Sequence, residues 1–370
     1  MSNVLQEAIA RFASGCSAPE NAPRQRFAVL PSRQAPRCLL PLGDRRSTLA
    51  GFRVYTPYTL RARVLKGLLS QVVKTGWSGW AVNSLYVREP LGLKALVASV
   101  TGERSPVFSL LLGTPGKYRK LTIQVMRPDG ETLGFVKLAL TDASMRRVRR
   151  EARVLERLAG GRMRVPRVLY SGEWQDSYLL FQSPLDGRPG PTKLSGIHVE
   201  FLEELAAVHR VDKPGVRVVD EVGARWNEVA CRCDSAWQRL CTAALAEARR
   251  ALDGVMVPCG PSHGDFAPWN TRVQNGRLAA LDWESCEWEA PLGWDAFHFS
   301  VQVASLLKKR WRTKFDQSAS AGPRGLFLLY LLASLGEQLD EEADSSDGIE
   351  YRRCALEHEL GLHQEAHARR

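Results

Sequence analysis

The chain has 370 residues, 44% of them hydrophobic and 25% charged, which are ordinary globular proportions and exclude wholesale disorder. Its formal net charge of +11 is compatible with nucleic acid, an anionic lipid surface or anionic small molecules such as nucleotides. Arginine recurs along the chain rather than forming one basic tail, and the runs RRVRR (146–150) and KKRWR (308–312) read as solvated helix faces.

Residues 1–105 form a basic, Pro- and Arg-punctuated N-terminal extension whose first sixty residues favour irregular or extended chain. Within it, 57–76 places Leu60, Val64, Leu68, Val72 and Val73 at helical spacing before a Gly stop. From residue 106 the texture becomes strand-like. VFSLLLG (107–113) precedes a hairpin over 116–140 that turns at Asp129-Gly130. A helix follows over 141–161, started by Thr141 or Asp142 and stopped by Gly160, with Met145, Val148, Ala152, Leu155 and Ala159 as its apolar stripe. A strand pair (167–183) completes a small antiparallel sheet with one helix, so 106–185 reads as one lobe. Residues 186–370 are mainly helical: helices are expected over 196–212 and 228–254, and GLFLLYLLASLG (325–336) is too short to span a bilayer and reads as a buried helix. The opening residues lack the pattern of a signal peptide, and eight irregularly spaced cysteines, including the Cys231–Cys233 pair, match no trusted zinc arrangement. A reducing cytoplasm is the expected compartment.

The stretch SHGDFAPWN (262–270) sets a carboxylate and an amide five positions apart in what reads as a loop. Asn275-Gly276 then marks a hairpin with arms TRV and LAAL. Folding about it lays Asn270 opposite about Leu281, beside Asp282, and so gathers Asp265, Asn270 and Asp282 at one end. Converging carboxylates repel unless a cation or a proton is shared, and Asp and Asn oxygens are ligands that Mg²⁺ accepts beside substrate phosphates. With Asn270 and Asp282 on Mg²⁺, Asp265 is free to take a proton from an attacking hydroxyl, the division of labour in phosphoryl transfer. That chemistry asks for a cation on the sheet braced by an acid. Lys137 lies mid-strand in GFVKLAL (134–140), and Glu151 lies beside the apolar stripe of the next helix. Each has a plainer reading, Lys137 as an edge-strand lysine and Glu151 as the in-helix partner of Arg147.

Together these residues resemble the aminoglycoside phosphotransferase and choline kinase group of the protein-kinase-like fold, over roughly residues 106–340. HGDFAPWN is similar to that group's catalytic loop, LDWE to its metal-binding segment and PLGWDAF (291–297) to the segment after it. The resemblance implies an α+β, two-lobed kinase-like fold. It implies a catalytic set of Asp265, as base, and His263, with Asn270, Asp282 and Glu284 toward Mg²⁺. Lys137, braced by Glu151, would hold the phosphates of ATP or GTP. Gly113 and Gly116 would lie in the phosphate-covering loop (111–121), although the full Gly-rich pattern is missing. Backbone between Gln182 and Leu185 would meet the base, Asp295 would brace the catalytic loop, and His209 would be structural. The implied reaction moves the γ-phosphate to a hydroxyl of a small molecule: an aminoglycoside, a sugar or an amino alcohol.

An acidic run (339–350) and Trp283, Trp288 and Trp294 are candidates for binding that acceptor, with solvated loop and core as their plainer readings. The alternative function is an inactive nucleotide-binding scaffold acting through the basic N-terminal region. Nucleic-acid binding rests on net charge alone, and no membrane partner is expected.

Overall fold

The computed structural model describes residues 3–13, 23–55, 57, 60–76, 83–113, 116–306, 321–341 and 346–362. The chain divides into two compact units, one of residues 1–159 and 165–185, the other of residues 160–164 and 186–370.

The first unit runs through α1 (Asn3–Ala13), β1 (Arg24–Pro31), β2 (Pro36–Pro41), α2 (Arg45–Gly51), α3 (Leu60–Thr75), β3 (Ser84–Arg88) and α4 (Leu91–Thr101). It continues with β4 (Val107–Leu112), β5 (Lys120–Met126), β6 (Thr132–Ala139), α5 (Asp142–Leu158), β7 (Val168–Trp174) and β8 (Ser177–Gln182). The strands form one antiparallel sheet in the order β3-β1-β2-β4-β5-β6-β8-β7. The small sheet expected from 106 onward is therefore five strands of an eight-stranded one. Residues 1–105 are not an appendage in the described structure: β2 pairs with β4, and Phe12, Phe27, Leu39 and Val97 share a core with Phe108, Ile123, Val136 and Phe181. The prolines do not keep this stretch irregular, because Pro31, Pro36 and Pro41 stand at strand ends, where a missing N–H is tolerated. Strand alternation splits β2 between two faces, with Leu39 in the main core and Cys38 and Leu40 in a smaller cluster with Phe52, Val54 and Val73. The stripe expected on α3 is only partly used: Val73 is buried, whereas Val64 and Leu68 are exposed.

In the second unit the elements are β9 (Arg188–Pro189), α6 (Gly196–Ala206), β10 (Val211–Pro214), α7 (Gly215–Val229), α8 (Ser235–Leu252) and β11 (Met256–Ser262). Then follow β12 (Thr271–Gln274), β13 (Arg277–Ala280), β14 (Glu287–Pro291), α9 (Trp294–Leu306), α10 (Ala321–Asp340) and α11 (Ser346–Glu359). Helices α7 to α11 enclose a core that includes Val222, Trp226, Ala244, Ala248, Val301, Leu328, Leu332 and Leu356. Two three-stranded sheets, β10-β11-β14 and β13-β12-β9, carry the loops of interest. The helix expected over 196–212 ends at Ala206. That expected over 228–254 breaks, because the Asp234 side chain accepts from the Trp237 N–H at 2.9 Å and starts α8 anew. No helix among the described residues is long and apolar enough to cross a membrane.

Candidate active site

In the first unit, Lys137 sits on β6, paired with β5 and β8 on either side, so the edge-strand reading fails. An ammonium buried there needs a counter-charge. Glu151, fully buried on α5, provides it: Nζ of Lys137 donates to both Oε1 and Oε2 at 2.6 Å. The helix is set in place by Thr141, whose hydroxyl accepts from the Ser144 N–H at 3.0 Å. Arg147, the in-helix alternative for Glu151, lies over the Tyr118 ring at 3.5 Å, and Arg149 pairs with Glu173. Two arginines of the 146–150 run are thus tied into their own unit, while Arg146 and Arg150 are exposed.

Gly113 allows β4 and β5 to close, since a Cβ there would meet the Lys120 carbonyl at 2.7 Å. Gly116 has φ +142, and residues 114–115 between the two glycines lie outside the described residues. Gln182 is paired in the sheet on both sides, the Ser183 N–H donates to the Arg167 carbonyl at 2.8 Å, and Pro184 has no N–H. Leu185 therefore presents the next backbone N–H along the expected adenine-facing segment.

In the second unit, β11 delivers the chain into the His263–Asn270 loop. Gly264 has φ +81, and a Cβ there would meet the Ser285 carbonyl at 2.2 Å, so only glycine fits. Asp295, at the start of α9, braces the loop as the family resemblance implied. Its carboxylate accepts from the Ser262 hydroxyl (2.9 Å) and from the N–H groups of His263 (2.7 Å) and Gly264 (3.1 Å).

His263 is fully buried and engaged at both ring nitrogens. Nδ1 accepts from the Asp265 N–H at 3.2 Å, which leaves the proton on Nε2 to donate to the Leu281 carbonyl at 3.1 Å. Burial holds its pKa below the ordinary histidine value, against the pull of Asp295, Asp265 and Asp282. The ring thus ties the loop to the hairpin.

The hairpin forms as its Asn-Gly turn demands, with Asn275 and Gly276 both at positive φ and β12 paired with β13. The Leu281 N–H donates to the Asn270 carbonyl at 2.9 Å, so Asp282 follows directly from Asn270's partner. Asn270 is buried, and its amide nitrogen donates to the Asp265 carbonyl (2.9 Å) and to Asp265 Oδ2 (2.8 Å), which turns the amide oxygen toward other work. Asp282 is held at φ +71, a conformation side chains rarely adopt, and one of its carboxylate oxygens lies within 4.8 Å of one on Glu284. Asn270, Asp282 and Glu284 are all hard oxygen donors of the type that fits Mg²⁺.

Two further residues, neither of them a candidate on sequence grounds, lie around Asp265. Asp265 Oδ1 receives His298 Nε2 at 3.0 Å, and the Tyr330 hydroxyl lies 3.3 Å from His298 Nδ1. The available signal was spacing: His298 comes three residues after Asp295, on the same face of α9.

The tryptophans are structural where buried. Trp283 packs on His263 (4.5 Å between rings) and near Phe201, Trp294 lies in the helical core, and Trp288 stacks with His209. His209 also faces Glu289 at 3.6 Å, consistent with its structural reading. The 308–312 run and residues 342–345 of the acidic run lie outside the described residues.

No curated protein matches the chain. Among solved structures, a thermostable mutant of aminoglycoside phosphotransferase APH(4)-Ia, in ternary complex with ADP and hygromycin B, is similar with a TM-score of 0.53 at 14% identity, over 74% of this chain and 99% of that one. A further thermostable mutant of that enzyme, with AMP-PNP and hygromycin B, gives 0.52 at 15% identity over the same shares. At such identities the likeness is one of fold, the protein-kinase-like α+β fold of aminoglycoside phosphotransferases. The model of the phosphotransferase enzyme family matches residues 121–322, a span that holds Lys137, Glu151 and the whole of the 262–298 region. That span exceeds half of the 370 residues, and the chain belongs to the phosphotransferase enzyme family.

Proposed function

We propose that this phosphotransferase moves the γ-phosphate of ATP or GTP to a hydroxyl of a small molecule, an aminoglycoside, a sugar or an amino alcohol. The observation that carries the reading is the junction of loop and hairpin. Asn270 donates to Asp265 through its side chain and accepts from Leu281 through its backbone, so base and ligand positions are set by one residue. Asp265 takes the proton of the acceptor hydroxyl as that oxygen attacks the γ-phosphorus and the nucleoside diphosphate leaves. Asn270 and Asp282, with Glu284, would hold Mg²⁺, which when bound neutralises phosphate charge. Lys137, oriented by Glu151, would hold the phosphates, and His263 and Asp295 keep the loop in shape. The scaffold alternative relied on a basic arm, yet β1 to β3 are strands of the sheet.

A thermal-shift titration with Mg·ATP and Mg·GTP on wild type and Asp282→Ala tests the reading. Nucleotide at a hundred times its dissociation constant stabilises the native state by about 2.7 kcal/mol. The expected result is a shift in wild type that is lost in the variant, followed by transfer of labelled phosphate to a hydroxyl acceptor from a panel of the three classes. Absence of any shift with either nucleotide in wild type would sink the reading.

A further inference from the structure

The carboxylate of Asp265 is about one-third exposed, so an aspartate there would sample several rotamers unless something held it. Asn270 holds only one oxygen, Oδ2. The other, Oδ1, is met by His298 from α9. We propose that His298, backed by Tyr330, is a positioning residue that fixes the catalytic carboxylate; the inference rests on Asp265 being the base.

The proton positions follow from chemistry. A carboxylate can only accept, so His298 Nε2 carries the hydrogen, and in the neutral ring Nδ1 is left as an acceptor. Tyr330 lies fully inside α10's packing, where burial pushes its phenol up to about 12, so at neutral pH it stays a phenol and donates. Ser334 and the buried Arg352 lie beside that phenol, and Arg352 in turn donates to the Ser334 hydroxyl at 2.8 Å. The result is a line of donors, Tyr330 to His298 to Asp265, anchored in the helical core. One side of α9 thereby does two jobs. Asp295 holds the backbone of the loop, and His298, one turn on, holds the side chain the loop exists to present. Each carboxylate oxygen then has one protein donor and keeps a lone pair for the acceptor hydroxyl.

The test combines kinetics with ¹⁵N NMR of the histidine rings in the full-length chain, using His298→Ala, His298→Gln and Tyr330→Phe. Misplacing a catalytic group by about 1 Å lowers turnover by up to about 100-fold, and His298→Ala is expected to show a kcat loss of that order with its nucleotide-induced thermal shift intact. His298→Gln, whose amide can still donate, recovers part of the loss, and Tyr330→Phe gives an intermediate one. In wild type the His298 ring is expected as the Nε2–H tautomer. A kcat for His298→Ala within about twofold of wild type, or a proton on Nδ1, overturns the proposal. Wild type that binds nucleotide yet transfers phosphate to no acceptor would instead count against the proposed function; the NMR tautomer alone then decides whether the clamp exists.

Discussion

At position 137 a full positive charge sits in the interior of a sheet with 4% exposure, and one carboxylate on α5 makes that possible. Removing one member of such a pair strands the other in a medium that solvates it poorly, which costs about 3–5 kcal/mol. Glu151→Ala is therefore expected to lose stability of that order in urea unfolding. Lys137→Met combined with Glu151→Leu should recover most of it, because well-packed apolar pairs often replace buried ion pairs without loss. Phosphoryl transfer should stay lost in the double variant. A double variant that regains activity together with stability would show that Lys137 is a structural cation only.

At the scale of elements, α6 carries a sharper signature than its length suggests. His198, in its first turn, accepts the Ser195 N–H at Nδ1 (3.1 Å), while its other ring nitrogen is buried beside Phe299 and Phe266 with no hydrogen-bond partner among the described residues. Burial lowers its pKa below the ordinary 6.5, so the unfolded chain binds a proton there before the native state does. The stability from keeping this ring neutral is present above pH 6.5 and is lost as pH falls from there toward the lowered native pKa. His198→Phe should flatten the fall in the urea midpoint between pH 7.5 and 5.5 relative to wild type, by an amount that isolates this ring from His263; an unchanged slope would refute the assignment. Elements also explain what the sequence could show. The Asn275-Gly276 hairpin, the Asp129-Gly130 hairpin and the amphipathic α5 each rest on local chemistry, and all three were legible. β11 was not, because MVPCGPS reads as a string of breakers. Its Gly260 is there for close approach, a Cβ meeting the His209 carbonyl at 2.7 Å, and Pro258 contributes its carbonyl to Leu292. β10 and β14 flank it and were equally hidden, since their partners lie far along the chain. Lys137, Glu151, Asp265, Asn270 and Asp282 were legible through residue type and spacing. His298 and Tyr330 were not, because only tertiary packing brings α9 and α10 to the loop.

For the whole molecule, the boundary that composition suggests near residue 105 has no counterpart in packing. β2 hydrogen-bonds to β4, and α1 and α4 supply Phe12, Leu93 and Val97 to the core shared with β4 to β6. A chain starting at residue 106 would expose β4 as a bare edge with half its core missing, a setting that favours aggregation. Expressed alone, 106–370 is expected to lack cooperative unfolding and the nucleotide-induced thermal shift; a soluble fragment that keeps both would show the leader to be dispensable. The sheet's strand order has a consequence during synthesis as well. Every strand of the eight-stranded sheet has been synthesised once Gln182 is added, and residues 1–105 are already present as a template when β4 emerges. The partner strand of the β4 edge, β2, is thus made well before the His263–Asn270 loop.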